Sequence, residues 1–348
     1  MERLREETTE RLEFYQRLDG VHAAPLWAVL SQLVTPEPRS RCVPHKWDYA
    51  GMRSLLMEAG GLITAKEAER RVLVLENPGI RGLSQITQSL YSGLQLILPG
   101  EIAPSHRHAA AAMRLIVEGG GGYTAVNGER IPMAPGDFIL TPSWTYHDHG
   151  NLGDEPVIWL DGLDLPIVNL FDASFAQTYP SGDVQEITRL AGDAQARYGS
   201  NMLPPEYVPD NKSSPLFHYP YARVKEALLQ IGGADKLDPC HGIKLQYVNP
   251  VTGGYPMPTM AAYMQLLTAG FSGRPSRSTD ATVYNVCEGA GVTLIGNERI
   301  EWSMGDVFIA PSWNTVAHQA SERSVLFSFS DRAAQKALGL WREERLND

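Results

Sequence analysis

The chain has 348 residues, a formal charge of −10 and a pI near 5.4, with 43% apolar and 20% charged residues. An acidic balance without a basic run excludes nucleic acid and an anionic membrane surface as expected partners, and no apolar run reaches the roughly 18 residues of a membrane span. The composition is that of a globular protein, and the length predicts about two domains.

The first stretch, MERLREETTERLEFYQRLDG, is charged and lacks the apolar centre of a signal peptide. Leu4, Leu12, Tyr15 and Leu18 recur at near-helical spacing, which predicts an amphipathic helix over residues 1–35. Cys42, Cys240 and Cys287 are odd in number and far apart, fitting neither a disulfide framework nor a CxxC zinc site. These features predict a reduced, cytoplasmic setting. A second helical stretch runs from about 50 to 72, interrupted by Gly60–Gly61.

After that the texture changes to short β-rich runs separated by turns. An Asn-Gly pair, Asn127–Gly128, predicts a hairpin, and Pro135–Gly136 predicts a second turn. Residues about 170–245 lose this texture and hold one plausible helix, YARVKEALLQIG. Strands resume near 260, and they repeat the earlier material. GERIPMAPGDFILTPSW (128–144) answers NERIEWSMGDVFIAPSW (297–313), with Glu-Arg-Ile, Gly-Asp and Pro-Ser-Trp in register. Two related β domains explain the repeat.

In a strand, residues i and i+2 share a face, so His106 and His108 of SHRH point the same way. Two imidazoles on one face are unusual for packing, because each buried ring needs partners for its nitrogens. His147 follows a later strand and His149 comes two residues on, so four of the nine histidines lie between 106 and 149. That concentration predicts a metal site, and imidazole suits zinc, copper, iron and nickel alike. Arg114 is assigned the parity of the histidine pair, where a guanidinium would grip an anionic substrate as a fork. An acidic chain is compatible with this, because local arginines outweigh a distant field. His149 shares the parity of His147 and is a candidate to hydrogen-bond substrate or oxygen.

Gly100 and His106-x-His108 five residues on, then Gly136, Pro142, His147 and Asn151, form a frame that resembles the two motifs of the cupin family. The resemblance implies a mainly β fold: two double-stranded β-helix barrels of jelly-roll type. It places an N-terminal helical segment at 1–80, a metal-binding barrel at 81–170 and a connecting segment at 171–245. A second barrel follows at 246–332 and a C-terminal helix at 333–348. Cupins usually add a glutamate to their histidines; here Ala112 or Met113 stands in its place. Three neutral imidazoles leave a divalent ion its full charge, which favours an anionic chelating ligand. In the repeat, Ser276, Ser278 and Val316 replace His106, His108 and His147, while His318 matches His149. The second barrel is therefore expected to hold no metal.

The phrases LYSGLQLILPGE, HRH, MRLIVEG, YTAVNGE, GDFILTPSWTYHDHGN and WLDGLDLP resemble the gentisate 1,2-dioxygenase and salicylate 1,2-dioxygenase subfamily of bicupin ring-cleaving dioxygenases. The resemblance implies ferrous iron held by His106, His108 and His147, with O2 as co-substrate. It implies insertion of both oxygen atoms between the carboxyl-bearing and the adjacent hydroxyl-bearing carbon of a small aromatic carboxylate. Gentisate to maleylpyruvate is the first expectation; salicylate, 5-substituted salicylates or 1-hydroxy-2-naphthoate are alternatives. Substrate contacts are implied for Gln95, Asp161 and Tyr91, with Arg70 a further carboxylate contact and His149 or Asp161 handling protons. Tyr91 leans toward gentisate, whereas Ala109–Ala112 stand where polar residues usually follow HRH and predict a small, apolar lining. A homo-oligomer, a tetramer by resemblance, is implied. The rivals are a zinc or manganese cupin isomerase and a non-catalytic bicupin binder; the joint presence of Gln95, Arg114 and Asp161 argues against both.

Overall fold

A computed structural model describes residues 8–208, 212–233 and 237–346. Residues up to Arg39 and those from Ser40 onward form two compact units. In the first, α1 (Thr9–Asp19) and α2 (Leu26–Leu33) replace the single helix expected over 1–35. The hydroxyl of Thr8 caps α1, which ends at Gly20, and Pro25 precedes α2. Phe14 stacks on Trp27 at 6.5 Å. Leu4, assigned to this helix by its spacing, lies outside the described residues.

The second unit opens with β1 (His45–Trp47), α3 (Tyr49–Leu62) and β2 (Val72–Val74). Asp48 caps α3 by accepting from Gly51 N–H at 2.9 Å. The helix stops well short of residue 72: Gly60 and Gly61 weaken its last turn, and Ile63 is already extended. The first barrel is then built from β3 (Tyr91–Ile97), β4 (Ile102–His108), β5 (Ala112–Glu118), β6 (Gly122–Val126), β7 (Glu129–Pro132), β8 (Phe138–Thr141), β9 (His147–Asn151) and β10 (Val157–Leu163). The Asn127–Gly128 turn joins β6 to β7 with φ of 49° and 79°, the left-handed pair that a tight hairpin requires.

Next come α4 (Leu165–Leu170), β11 (Ala176–Thr178), α5 (Asp193–Tyr198), β12 (His218–Tyr219) and α6 (Tyr221–Gly232). The second barrel follows in β13 (Ile243–Gln246), β14 (Ala261–Leu267), β15 (Phe271–Ser272), β16 (Ser276–Ser278), β17 (Thr282–Glu288), β18 (Ala290–Ile295), β19 (Glu298–Ser303), β20 (Val307–Ala310), β21 (Val316–Ala320) and β22 (Ser324–Ser330). The expected C-terminal helix is the short α7 (Arg332–Ala337), which gives way to an edge strand, β23 (Glu343–Arg345).

Each barrel is two facing antiparallel sheets. The first pairs β12-β8-β5-β10-β3-β2 against β11-β4-β9-β6-β7; the second pairs β1-β20-β17-β22-β14-β13 against β19-β18-β21-β16-β23. The barrels exchange strands. β1 precedes the first barrel and adds to the second, and β12 precedes the second and adds to the first. The helices behind them are anchored alike: Tyr49 and Arg53 bond Glu118, while Tyr221 and Lys225 bond Glu288. Leu94, Met113, Leu115, Phe138 and Leu160 meet Met264, Val283, Val307, Phe327 and Phe329 in one core between the barrels. Each barrel also has its own apolar interior, with Ile97, Ile116, Ile139 and Trp159 in the first.

Candidate active site

His106 and His108 lie on β4 and His147 on the neighbouring β9, directly opposite His106 in the register. Opposite residues of an antiparallel pair share a face with Cβ atoms roughly 5 Å apart, which is how these rings meet. Their centroids are 4.7 to 5.3 Å apart, and their ligand nitrogens all lie within 4.8 Å of one another. A β-bulge makes this possible. Between Ala103 and His106, β4 carries one residue more than β9, so the inward face passes from Ala103 to His106 and His108. Without it, Ser105 and Arg107 would point inward.

Backbone carbonyls orient two of the rings. His108 Nδ1 lies 2.7 Å from the Ala110 carbonyl and His147 Nδ1 lies 3.0 Å from that of Thr145, leaving each Nε2 free to ligate. Arg70 comes from the loop before β2, bonds the Pro104 carbonyl at 2.9 Å, and places Nη2 3.4 Å from His106 Nε2. Burial, reinforced by the nearby guanidiniums, lowers the His106 pKa to about 2. Burial likewise takes His108 to about 4 and pushes His147 well down. All three are neutral, the form that binds a metal. Burial, with Arg114 adding to it, also lowers Arg70 to about 9.

The opposite wall follows a strand rule. On β3, β5, β8 and β10 a polar side chain faces the histidines and an apolar one lies two positions away in the layer below. The pairs are Gln95 with Ile97, Arg114 with Ile116, Thr141 with Ile139, and Asp161 with Trp159. Arg114 donates from Nη1 to the Thr141 hydroxyl at 2.5 Å. Its Nε is 3.4 Å from Asp161 Oδ1, within ion-pair reach but without hydrogen-bond geometry. Asp161 accepts from the Trp159 indole at 3.1 Å. Burial raises the Asp161 pKa to about 6, with Arg114, Trp159 and Arg70 opposing. Gln95 is buried. Tyr91 is half-buried on the same face of β3, with its phenol pKa raised by burial and by Asp161. His149, fully buried on β9, has no partner for either ring nitrogen among the described residues.

The site thus gathers His106, His108, His147, Arg70, Arg114, Asp161, Gln95, Tyr91 and His149, but not always for the expected reasons. Arg114 does not continue the histidine strand. A bend at Ala109–Ala110 ends β4, and Arg114 sits on β5 in the facing sheet, so its parity with His106 is a coincidence of numbering. Arg70 and Arg71 lie in the loop beyond α3: Arg71 turns away into a partly buried ion pair with Glu101, and Arg70 turns inward. The alanines are not simply a lining. Ala112 shares the inward face of Arg114, but Ala111 packs into the core between the barrels. Their backbone carries polar duties: Ala110 accepts from His108, Ala111 N–H donates to Asp164, and Ala109 accepts from Ser143. Thr141 and Trp159 went unread, although the alternations Ile139/Thr141 and Trp159/Asp161 carried the signal.

Three neutral imidazoles with clustered nitrogens, two of them oriented through Nδ1, fit a first-row divalent metal. The orphaned nitrogens of His149 beside them fit a polar ligand at the same place. Ser276, Ser278 and Val316 occupy the matching positions of the second barrel.

Residues 93–163 match the cupin domain family. Gentisate 1,2-dioxygenase 1 of Aquipseudomonas alcaligenes is 56% identical over 97% of this chain and 97% of its own. A gentisate 1,2-dioxygenase of Streptomyces is 36% identical over 98% and 97%. Salicylate 1,2-dioxygenase of Pseudoaminobacter salicylatoxidans, solved with gentisate, superposes with a TM-score of 0.92 at 32% identity, covering 99% of this chain and 96% of that one. Sequence, architecture and likeness over nearly the whole length agree, and the chain belongs to the gentisate and salicylate 1,2-dioxygenase subfamily of bicupin ring-cleaving dioxygenases.

Proposed function

We propose that this protein is a ferrous, O2-dependent dioxygenase that opens a hydroxybenzoate ring, with gentisate to maleylpyruvate as its first reaction. The observation that carries the reading is the group of neutral histidines flanked by Arg70 and Arg114. Three imidazoles bring no negative charge, so a buried cluster with two guanidiniums and one carboxylate calls for an anion. Salicylate, 5-substituted salicylates and 1-hydroxy-2-naphthoate are the alternative substrates. We read residues 81–170 as the catalytic barrel and 246–332 as its metal-free partner.

His106, His108 and His147 would hold the iron, which supplies a Lewis acid and the one-electron chemistry that O2 requires. Arg114 grips the substrate carboxylate in fork geometry, with Arg70 on the other side, and this fixes the ring. Gln95 hydrogen-bonds a ring hydroxyl and Tyr91 packs against the ring. Asp161 is poised near neutrality to take the proton a hydroxyl releases on binding. His149 offers a neutral imidazole to substrate or oxygen. The bond between the carboxyl-bearing and hydroxyl-bearing carbons breaks, and both atoms of O2 enter the product. Cys42, Cys240 and Cys287 are free thiols, in keeping with a cytoplasmic enzyme, and no helix among the described residues is long and apolar enough to cross a membrane. By family we expect a homotetramer.

The test is oxygen uptake by the ferrous-loaded protein across gentisate, salicylate, 5-substituted salicylates and 1-hydroxy-2-naphthoate. Stoichiometric uptake with ring opening, lost in His106→Ala together with bound iron, is the expected result. No uptake with any hydroxybenzoate, or a His106→Ala enzyme that keeps iron and turnover, would overturn the reading.

A further inference from the structure

The guanidinium proposed to take the substrate carboxylate is buried, and most of its N–H groups have no acceptor among the described residues. Arg114 is 3% exposed, and its one hydrogen bond to the described residues goes from Nη1 to Thr141 Oγ1 at 2.5 Å. Asp161 balances its charge from 3.4 Å without a directed bond. A planar fork held at one corner keeps its remaining donors for a ligand. The corner that holds it is rigid. Thr141 is fully buried on β8 opposite Ala112, and a β-branched side chain has little freedom about χ1.

We propose that Thr141 is a positioning residue for carboxylate binding: its hydroxyl pins Arg114 so that the free edge of the guanidinium faces the substrate. This rests on the role given to Arg114 above. The repeat supplies an independent comparison. In the second barrel Tyr284 stands in the place of Arg114 and Ala310 in that of Thr141, with the same strand pairing, Thr282 opposite Ala310. Where the histidines are gone, the arginine and the hydroxyl are gone together. A hydroxyl required by the strand itself would have remained, and Ala310 shows that the strand folds without one.

The experiment uses the ferrous-loaded enzyme. Thr141→Val removes the acceptor at nearly constant shape, Thr141→Ser keeps it, and Thr141→Ala copies the second barrel should valine disturb folding. KM for gentisate should rise roughly ten- to hundredfold in T141V or T141A, the size of one hydrogen bond to a charged group, with a smaller change in kcat. T141S should restore KM to near the wild-type value. The inhibition constant of hydroquinone, a ring with hydroxyls and no carboxylate, should not move. In an Arg114→Met background, T141V should add no further loss. A wild-type KM in both T141V and T141A would overturn the proposal, as would equal weakening of gentisate and hydroquinone or failure of T141S to rescue. If instead R114M kept the wild-type KM, the role of Arg114 would fall, and a wild-type enzyme inert to every hydroxybenzoate would remove the activity itself.

Discussion

The joint between the barrels makes a quantitative prediction about pH. Asp331, at the end of β22, accepts from Ser89 Oγ at 2.8 Å, Ala281 N–H at 3.0 Å and Gln335 Nε2 at 3.1 Å. Asp164 is its mirror in the first barrel, accepting from Thr259 Oγ1 and Ala111 N–H. Each carboxylate thus bonds a hydroxyl of the other barrel, Ser89 just before β3 or Thr259 just before β14. Burial lifts the Asp331 pKa from 3.8 to about 6, with the Ser89 hydroxyl opposing and the neighbouring Asp280 adding to the rise. Since the folded value is the higher one, the folded chain holds an extra proton between the two values. Stability therefore falls as pH rises through that window, by about 3 kcal/mol in all. Asp331→Asn abolishes the titration. Urea unfolding of metal-stripped wild type and D331N, from about pH 4 to about pH 7, isolates the group, because titrations common to both cancel in the difference. The wild type should lose about 2–3 kcal/mol relative to D331N across that range. A difference that does not change with pH would refute the assignment of this joint as a buried, proton-holding carboxylate.

Three further outcomes follow from the packing. Gly93→Ala should cost about 1–3 kcal/mol in denaturant unfolding, because the new Cβ collides with Val72 Cγ1 and forces β2 from β3; an unchanged transition would contradict that close approach. Glu101→Leu leaves Arg71 buried without its carboxylate and should destabilise by roughly 3–5 kcal/mol in the same assay, whereas an exposed pair would be worth well under 1. Ferrous iron at about 100 times its Kd should stabilise the apo protein by about 2.7 kcal/mol, read as a higher Tm. His108→Ala should abolish that rise, and its survival would place the metal elsewhere.

The two-barrel plan was legible because the repeat preserves turn chemistry and alternation over more than a dozen residues in one register. The histidine cluster was legible because three metal-competent rings on strands are hard to explain as packing. What stayed hidden has common physical causes. The strand exchange rests on β1 and β12, two- and three-residue segments too short to carry a period. The bulge before His106 adds a residue and flips the inward parity, and its one local signal is Pro104, which cannot donate to the ladder. The extension of the second helix to residue 72 failed because its glycines and Ile63 end it early. The alanine run hides its role because the work there is done by the backbone and not by side chains.

The second barrel separates what belongs to the frame from what belongs to the chemistry. Both barrels keep the extra residue before the ligand strand. Both hold a tryptophan in the left-handed region, Trp144 at φ 59° and Trp313 at φ 64°, each under an arginine, Arg107 of β4 or Arg277 of β16. These devices are architecture. One residue type is retained in both barrels yet partnered differently. His318 bonds the Thr293 hydroxyl through Nδ1 at 2.8 Å, and Trp302 donates to the same hydroxyl. In the first barrel Thr124 occupies the place of Thr293, but its hydroxyl turns to the Asp148 carbonyl, and Met133 replaces the tryptophan. His149 is left with both nitrogens buried and bare. An imidazole so placed costs about 1–3 kcal/mol unless something polar meets it. The barrel without the histidine cluster meets that need within the protein; the barrel with the cluster meets it with none of the described residues.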